Sequence, residues 1–180
     1  MNFFDLLSSL IIILALIMAL GIAWYTEKTK VPPVPTLPWV RKAMLNILKT
    51  HCAADAPLNM ADLGSGWGGV QALLARQYKQ ANVTGYEIAP WPYLSAKLRF
   101  IFARRIKTLR QDFFAADLSH YDVLICYTHP ELMTSFKDKL STLKAGALVI
   151  SCAFPIPAYT PIETIKCGRG IVTEIYVYRV

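Results

Sequence analysis

Asp62 and the glycines that follow it have the residue types and spacing of a nucleotide-binding corner. An apolar run ends at Asp62, a turn carries Gly64, Gly66 and Gly69 in the pattern G-x-G-x-x-G, and a helical pattern follows from Val70. Glycines let the backbone approach a ligand closely, and the start of a helix offers free N–H groups and the positive end of its dipole. This stretch therefore predicts a binding site for a nucleotide-derived ligand.

Two further carboxylates follow predicted strands, as Asp62 does. Glu87 ends the strand pattern at 82–87, roughly twenty residues beyond the glycines, which is the spacing at which an acidic residue meets a ribose. Asp112, with Phe113 beside it, follows the third predicted strand. Glu87 and Asp112 could instead be solvated strand ends. Because parallel strands share one carboxyl edge of a sheet, three such carboxylates indicate a single crevice at that edge.

The chemistry of these residues favours S-adenosylmethionine over a dinucleotide as the ligand. Asp62 can reach an amino group, whereas it would repel a pyrophosphate. Asp112 offers an acceptor for an adenine amino group, and Phe113 offers an aromatic neighbour. A chain of 180 residues is also too short to add the substrate domain that most dehydrogenases carry. A nicotinamide enzyme and a non-catalytic binding fold are the alternatives.

The elements that must position these residues alternate along the chain. We predict strands at 58–63, 82–87, 106–110, 121–127 and 147–152, with helices at 68–78, 92–105 and 130–143. Two more strand patterns, at 163–167 and 171–179, flank a glycine turn and predict a hairpin. This order is typical of an α/β, doubly wound fold. We therefore expect a Rossmann-like, mostly parallel seven-stranded sheet that ends in an antiparallel hairpin.

The N-terminal segment predicts one transmembrane helix within an anchor at 1–30. Residues 6–25 carry no charge and end at Trp24 and Tyr25, where an interfacial aromatic belt would lie. Twenty residues of helix span about 30 Å, which is one hydrocarbon thickness. A cleaved signal peptide is the alternative, since residues 21–23 form a tolerable cleavage site, but no Lys or Arg precedes the apolar run.

Positive charges on the C-terminal side of this run set the expected topology. Only Asp5 and the terminal amine precede the run, whereas Lys28, Lys30, Arg41 and Lys42 follow it. The positive-inside rule then places the N-terminus outside and the globular part in the cytoplasm. We expect a single-pass membrane protein, with the bacterial inner membrane as its location.

A Pro-rich stretch and a helix, together at 31–57, lead from the anchor to a domain expected at 58–180. Residues 31–38 predict a stiff, extended connection. Thr36 is expected to cap the following helix, with Pro38 in its first turn. The apolar spacing from Trp39 predicts a helix that either covers the sheet or lies over the cofactor.

The charge and composition of the chain limit the kinds of partner that it can bind. The net charge of +7 indicates an anionic partner, a membrane surface or nucleic acid. Four scattered cysteines predict reduced thiols, and three histidines without ligand spacing lead us to expect no metal. The basic cluster after the second strand has three interpretations: a solvated face, docking to anionic lipid, or nucleic-acid binding. No recognition motif accompanies it, so we expect no nucleic-acid partner; its members are Lys97, Arg99, Arg104, Arg105, Lys107 and Arg110.

The order of Asp62, the glycine turn, Glu87 and Asp112, with a final hairpin, resembles class I S-adenosylmethionine-dependent methyltransferases. Several stretches are similar to the membrane-anchored lysine methyltransferases of mitochondria, which modify the ATP synthase c-subunit and the adenine nucleotide translocase and have bacterial relatives. These stretches are Val34-Pro35-Thr36, the Asp62 turn, Tyr86-Glu87-Ile88-Ala89-Pro90-Trp91, Ser119-His120-Tyr121-Asp122 and Cys152-Ala153-Phe154-Pro155-Ile156-Pro157. The chain departs from the family at Trp67, Gly69 and Ala153, where Asp, Arg and Arg are usual.

The resemblance implies a class I methyltransferase fold with bound S-adenosyl-L-methionine. The residues that it and the motif assign to the cofactor are Asp62, Gly64, Ser65, Gly66, Trp67, Gly68, Glu87, Ile88, Asp112, Phe113 and Tyr127. The resemblance also implies a protein lysine as the methyl acceptor, at a membrane.

The segment after the fourth strand lies where the acceptor must enter. Tyr127, His129 and Glu131 are the candidate catalytic residues, because a lysine amine must lose a proton before it can react. We expect the channel to be lined by Thr36, Thr128, Pro130, Phe154, Pro155 and Pro157. The predicted function is N-methylation of a lysine in a membrane protein. The alternatives are a methyltransferase of a lipid or other amphipathic small molecule, and a non-catalytic scaffold that binds S-adenosylmethionine.

Overall fold

The computed structural model describes residues 2–30 and 34–180, and the chain divides into two compact units with the boundary between Val34 and Pro35. The first unit is the helix α1, Phe3–Thr29. Asn2 and Asp5 form a capping box at its start, in which each side chain accepts a hydrogen bond from the other residue's backbone N–H. The most apolar 18-residue window within Phe3–Lys28 has a mean hydropathy of 2.8, so α1 is long and apolar enough to cross a membrane, as an anchor or as a signal sequence.

The second unit is built on a seven-stranded sheet in the order β3-β2-β1-β4-β5-β7-β6. The first five strands are parallel, and β7 runs antiparallel to both β5 and β6. This arrangement confirms the predicted fold class. The strands are β1 Asn59–Leu63, β2 Asn82–Tyr86, β3 Ile106–Leu109, β4 Val123–Cys126, β5 Leu148–Cys152, β6 Glu163–Cys167 and β7 Thr173–Arg179.

Helices cover both faces of the sheet. One core cluster packs Val40, Met44 and Leu48 of α2 and Leu74 of α3 against the strands. The other cluster packs Phe136 and other α5 side chains against the opposite face. The helix of the lead-in segment therefore covers the sheet and belongs to its core. The helices are α2 Pro38–His51, α3 Gly69–Gln77, α4 Pro90–Arg99 and α5 Pro130–Leu140, with a 3-10 turn at Phe113–Ala115.

Several details of the predicted elements are wrong, among them the end of the helix predicted at 130–143, which stops at Leu140. Thr36 does not cap α2: the N-cap is Leu37, which has no side-chain acceptor, and Pro38 begins the helix. The helix predicted at 92–105 ends at Arg99, because Phe100 leaves the helical conformation and turns its ring inward against the glycine turn. The extended connection predicted at 31–38 falls partly outside the described residues, at 31–33.

The register of the strands brings the site loops together. Leu63 at the end of β1 lies beside Tyr86 of β2 and Cys126 of β4, and Cys126 lies beside Ser151 of β5. Because these strands are parallel, the residues that follow them leave the sheet at one carboxyl edge. The start of β7 reaches the same edge, since Ile175 pairs with Cys152.

Gly85 allows a buried side chain to tie α3 to the sheet. The carboxamide of Gln71 lies where a side chain at residue 85 would be, with its Cδ 2.3 Å from an ideal Cβ. Gln71 is fully buried, and its Nε2 donates to the Lys107 carbonyl at 2.9 Å. The absence of a Cβ at Gly85 is therefore a packing requirement.

We expect Gly85→Ala to lower the free energy of unfolding by about 2 kcal/mol, because it forces Gln71 out of position and leaves a buried amide without its partner. Urea denaturation followed by circular dichroism measures the change. In a Gln71→Ala background the same Gly85→Ala substitution should cost less than about 0.5 kcal/mol. Equal costs in both backgrounds would show that the two residues do not conflict.

Candidate active site

The glycine turn is fixed against β2 by its backbone. The N–H groups of Gly64 and Ser65 both donate to the Tyr86 carbonyl, at 3.0 and 2.9 Å. Gly68 has a φ of 77°, and a Cβ there would lie 2.7 Å from the Phe100 ring. Both its conformation and its surroundings therefore require glycine. The result is a narrow turn with its backbone close to the carboxyl edge of the sheet.

Asp62 has a buried carboxyl group that lacks part of its hydrogen bonding. The residue is 4% exposed, and its Oδ2 has no hydrogen-bond partner among the described residues. Burial, and then the nearby Glu87 carboxyl, raise the pKa of Asp62 to about 7, while a hydrogen bond from the backbone N–H of Gln71 opposes the shift. A buried carboxyl with a free oxygen is stabilised by a cationic donor, such as the amino group of an amino acid.

Glu87 holds the turn from the other side. Its Oε2 accepts from the Gly66 N–H and its Oε1 from the Ala89 N–H, both at 2.8 Å. Burial raises the pKa of Glu87, while hydrogen bonds from backbone amides, including these two, lower it. Each carboxylate oxygen has a second lone pair, so Glu87 can also accept from the hydroxyls of a ligand.

Buried polar atoms without partners concentrate at this edge. Six such side-chain atoms occur among the described residues, and three of them, in Asp62, Ser65 and Thr128, belong to the ends of β1 and β4 or to the loops that follow these strands. Buried polar groups are normally paired, so the cluster indicates a polar ligand that would complete their hydrogen bonds. The residues therefore fit a cofactor with a cationic amino group and hydroxyls; the other three atoms are Arg41 Nε, Tyr78 Oη and Trp39 Nε1, which lies against Gly168 in the β6–β7 turn.

Arg41 is a site residue that the sequence did not reveal. Its guanidinium lies over the first residue of α3, with one terminal nitrogen 2.9 Å from the position of a Cβ on Gly69. A cation beside the N-terminus of a helix makes a favourable environment for a carboxylate. The only sequence signal was indirect: the loop position where relatives usually have Arg is Gly69 here, which leaves room for Arg41.

The adenine side of the crevice is less enclosed. Asp112 is exposed, and its Oδ1 accepts from the Phe114 N–H at 2.9 Å. Phe113 is buried and packs edge-on against Phe136 in the core. Ile88, which follows Glu87, is exposed, and Trp67 of the glycine turn is half-buried. Their assignment to the cofactor stays a prediction.

The acceptor segment follows β4. Tyr127 is half-buried, and burial raises the pKa of its phenol, while a hydrogen bond with Thr173 opposes the shift. His129 is the N-cap of α5, where its Nδ1 accepts from the N–H of Glu131 at 3.4 Å. Pro130 and Glu131 lie at the start of that helix, and both are exposed. His129 thus caps α5, and the assignment of Tyr127, His129 and Glu131 to catalysis stays a prediction.

The loop after β5 forms another predicted wall. Ala153 has a φ of 75°, which is uncommon for a residue with a Cβ, and Ser151 Oγ donates to the Phe154 carbonyl at 2.6 Å. The Ile156 N–H donates to Tyr178 Oη. Phe154 is half-buried, whereas Pro155 and Pro157 are exposed; Thr36, the remaining predicted channel residue, is half-buried before α2. The channel assignments stay predictions.

The fold and the site define a class I S-adenosylmethionine-dependent methyltransferase domain. Residues 62–163 match the family described as the ANTKMT methyltransferase domain, and this chain belongs to that family. These findings confirm the predicted fold, the resemblance and the cofactor class.

Relatives and one solved structure agree with this assignment. The lysine N-methyltransferase of Mus musculus that is named for the ATP synthase c-subunit is 30% identical over 144 residues, which are 78% of this chain and 56% of that protein. The adenine nucleotide translocase lysine N-methyltransferase of Mus musculus is 31% identical over 118 residues, 63% of this chain and 50% of that protein. The chain thus spans little more than half of these relatives.

A crystal structure of an RNA methyltransferase from Salinibacter ruber, in complex with S-adenosyl-L-homocysteine, superimposes with a TM-score of 0.71. It is 27% identical in sequence, and the match covers 81% of this chain and 93% of that one. A match of this extent takes in most of the sheet-containing unit.

Proposed function

We propose that this protein transfers a methyl group from S-adenosylmethionine to the ε-amine of a lysine in a membrane protein. The observation that carries the proposal is the cluster of buried, unpartnered polar atoms of Asp62, Ser65 and Thr128 at one sheet edge. Membership of the ANTKMT family and the names of the two lysine methyltransferases support lysine as the acceptor.

Each end of the cofactor has a complementary group in this chain. Asp62 Oδ2 would accept from the amino group, and Arg41 would hold the carboxylate at the start of α3. Glu87 would accept from the ribose hydroxyls, and Asp112 from the adenine amino group. When bound, S-adenosylmethionine supplies a methyl group on a positively charged sulfur. A nucleophile attacks the methyl carbon in line with the carbon–sulfur bond, and the sulfur leaves with that bond's electrons.

The residues after β4 and β5 would prepare the acceptor. A lysine amine has a pKa of about 10.4 and has to be neutral to react. An enclosed approach past Thr128 and Phe154 disfavours the ammonium form by desolvation. Tyr127, whose raised pKa keeps it neutral, would orient the amine by a hydrogen bond. The side chains along this approach are uncharged, so the lone pair of the amine stays free to react.

We expect Arg41→Gln to weaken binding of S-adenosylhomocysteine about tenfold, because it removes a charge-assisted hydrogen bond to the ligand's carboxylate. Isothermal titration calorimetry measures the affinity. Lys42→Gln is the matched control, since it makes the same change of charge at the next, exposed position of α2. Similar affinities for the two variants would remove Arg41 from the site.

The location is also part of the proposal. α1 would be an uncleaved anchor at 1–30, joined by 31–57 to a catalytic domain at 58–180. The excess of Lys and Arg after the apolar run would leave the N-terminus outside and the domain in the cytoplasm, in a bacterial inner membrane. The acceptor would then lie at the cytoplasmic surface of that membrane.

Labelling of membranes tests the acceptor class. Membranes from cells lacking this gene are incubated with the purified full chain and S-adenosylmethionine that carries a radioactive methyl group. Label is then measured separately in the protein and in the lipid extract. We expect label in a membrane protein, recovered as methyl-lysine after acid hydrolysis, and none with the Asp62→Ala variant.

Other outcomes identify the alternatives. Label in the lipid extract would replace the lysine proposal by methylation of a lipid or other amphipathic molecule. Tight calorimetric binding of S-adenosylmethionine without transfer to either fraction would favour a non-catalytic scaffold.

A further inference from the structure

The second unit exposes a surface that combines cations with large apolar side chains. It lies on α4 and the turn leading into β3, and no Asp or Glu occurs between Glu87 and Asp112. We call it the α4 surface; its exposed residues are Leu94, Lys97, Leu98, Arg99, Ile101, Phe102 and Arg104. The cofactor crevice uses none of them.

The apolar side chains share the outer side of the helix. Leu94 and Leu98 lie one turn apart and are 44% and 59% exposed, whereas Ala96 is buried. After the helix ends, Phe100 turns inward, but Ile101 and Phe102 are 64% and 93% exposed. An outward-facing group of this size on a folded domain marks an interaction surface.

The cations of the α4 surface are not neutralised within the unit. In the part of the chain that the structure describes, no ion pair involves Lys97, Arg99 or Arg104. Lys97 lies over the Tyr93 ring and Arg99 over the Phe100 ring, so aromatic faces take the place of carboxylates. The positive charge remains available to an anionic partner.

The combination of side chains selects the partner. Arg and Lys alone would fit RNA or an acidic protein, but RNA is bound through aromatic platforms and offers nothing to Leu94, Leu98 and Ile101. An anionic bilayer offers phosphate and carboxylate headgroups to the cations and an apolar layer to the aliphatic side chains. The apolar helix α1 is an independent feature that suits the same environment.

We propose that the α4 surface docks onto a bilayer that contains anionic phospholipid. Leu94, Leu98, Ile101 and Phe102 enter the headgroup boundary, and the cations beside them contact the headgroups. Because α4 leads into the edge strand β3, docking sets that edge of the sheet against the bilayer. The carboxyl edge then opens along the membrane surface, at the height of the headgroups.

Hydrogen exchange on the full chain in lipid nanodiscs tests the proposal. One preparation contains phosphatidylcholine alone and the other about 30% phosphatidylserine; α1 tethers the domain equally in both. We expect amide exchange at 94–104 to slow by about tenfold in the anionic discs and to recover at about 0.5 M salt.

A charge variant and a matched control make the result specific. A triple variant should abolish the slowing of amide exchange at 94–104; it combines Lys97→Gln, Arg99→Gln and Arg104→Gln. Lys49→Gln with Lys79→Gln and Lys137→Gln removes the same charge from exposed positions elsewhere and should keep it. Unchanged calorimetric binding of S-adenosylhomocysteine by both variants shows that the domain is intact.

Three outcomes would overturn the proposal. Exchange at 94–104 would be the same in both lipid compositions if no docking occurs. Slowing on addition of RNA instead of anionic lipid would assign the surface to nucleic acid. Slowing that depends on protein concentration without anionic lipid would assign it to a second copy of the chain. None of these outcomes bears on the methyl acceptor, so failure here leaves the proposed function standing.

Discussion

Asp62→Asn is expected to weaken cofactor binding strongly and, at the same time, to stabilise the ligand-free protein. Binding should weaken by about 100-fold or more, because the amino group of the cofactor loses a buried carboxylate partner. Stability at pH 8 should rise by on the order of 2 kcal/mol, because the substitution removes a buried charge with an unpartnered oxygen. Calorimetry with S-adenosylhomocysteine and urea denaturation measure the two effects.

The opposite signs separate this prediction from ordinary damage to the fold. A destabilised variant would lose both stability and binding, whereas Asp62→Asn should lose only binding. Asp55→Asn, an identical change at an exposed loop residue, should alter neither. If Asp62→Asn bound the ligand as the native chain does, the crevice would have been assigned wrongly.

Cofactor affinity is expected to rise with pH up to about 7. The pKa of Asp62 is raised to about 7, so below that pH the ligand-free protein holds the carboxyl neutral. Binding of a cationic amino group requires the carboxylate, so a proton must leave on binding and the affinity falls about tenfold per pH unit below 7. The pKa of Glu87 is also raised by burial, and its titration would steepen the fall at lower pH.

The Asp62 carboxyl also makes the stability of the ligand-free protein depend on pH, in the direction opposite to the affinity. Its folded pKa lies above its ordinary value, so the folded state binds the extra proton and stability declines as pH rises from about 4 to about 7. Calorimetry at pH 5, 6 and 7, beside denaturation at the same values, follows both trends. Affinity that stays constant over this range would mean that Asp62 is already ionised without ligand. In Asp62→Asn, the contributions of this residue to the pH dependence of affinity and of stability should both vanish.

The sheet could be predicted from the sequence because its central strands are buried on both faces. Runs such as Val123–Cys126 and Leu148–Cys152 contain almost only apolar residues, and turn residues bound them. The acidic strand ends were also predictable, since a parallel sheet brings them to one edge whatever the details of packing. Where Asp62 lies in the crevice follows from that topology alone.

Contacts between distant residues were not predictable in this way. Arg41 reaches the glycine turn from a helix that begins more than twenty residues earlier, and Gln71 occupies the space that Gly85 leaves. The end of α4 at Arg99 depends on the packing of Phe100 against the turn, although helical propensity continues beyond it. Thr36 has the side chain of a cap, but the proline two residues later fixes the start of the helix.

The helix α2 decides where a truncated form of this protein can begin. It contributes buried Val40, Met44, Ile47 and Leu48 to the core and brings Arg41 to the crevice. A truncated form for solution work therefore has to keep α2 and can begin at Pro35, where the second compact unit starts. A form that begins at residue 58 would expose the apolar face of the sheet that α2 covers, and it would aggregate before its activity could be measured.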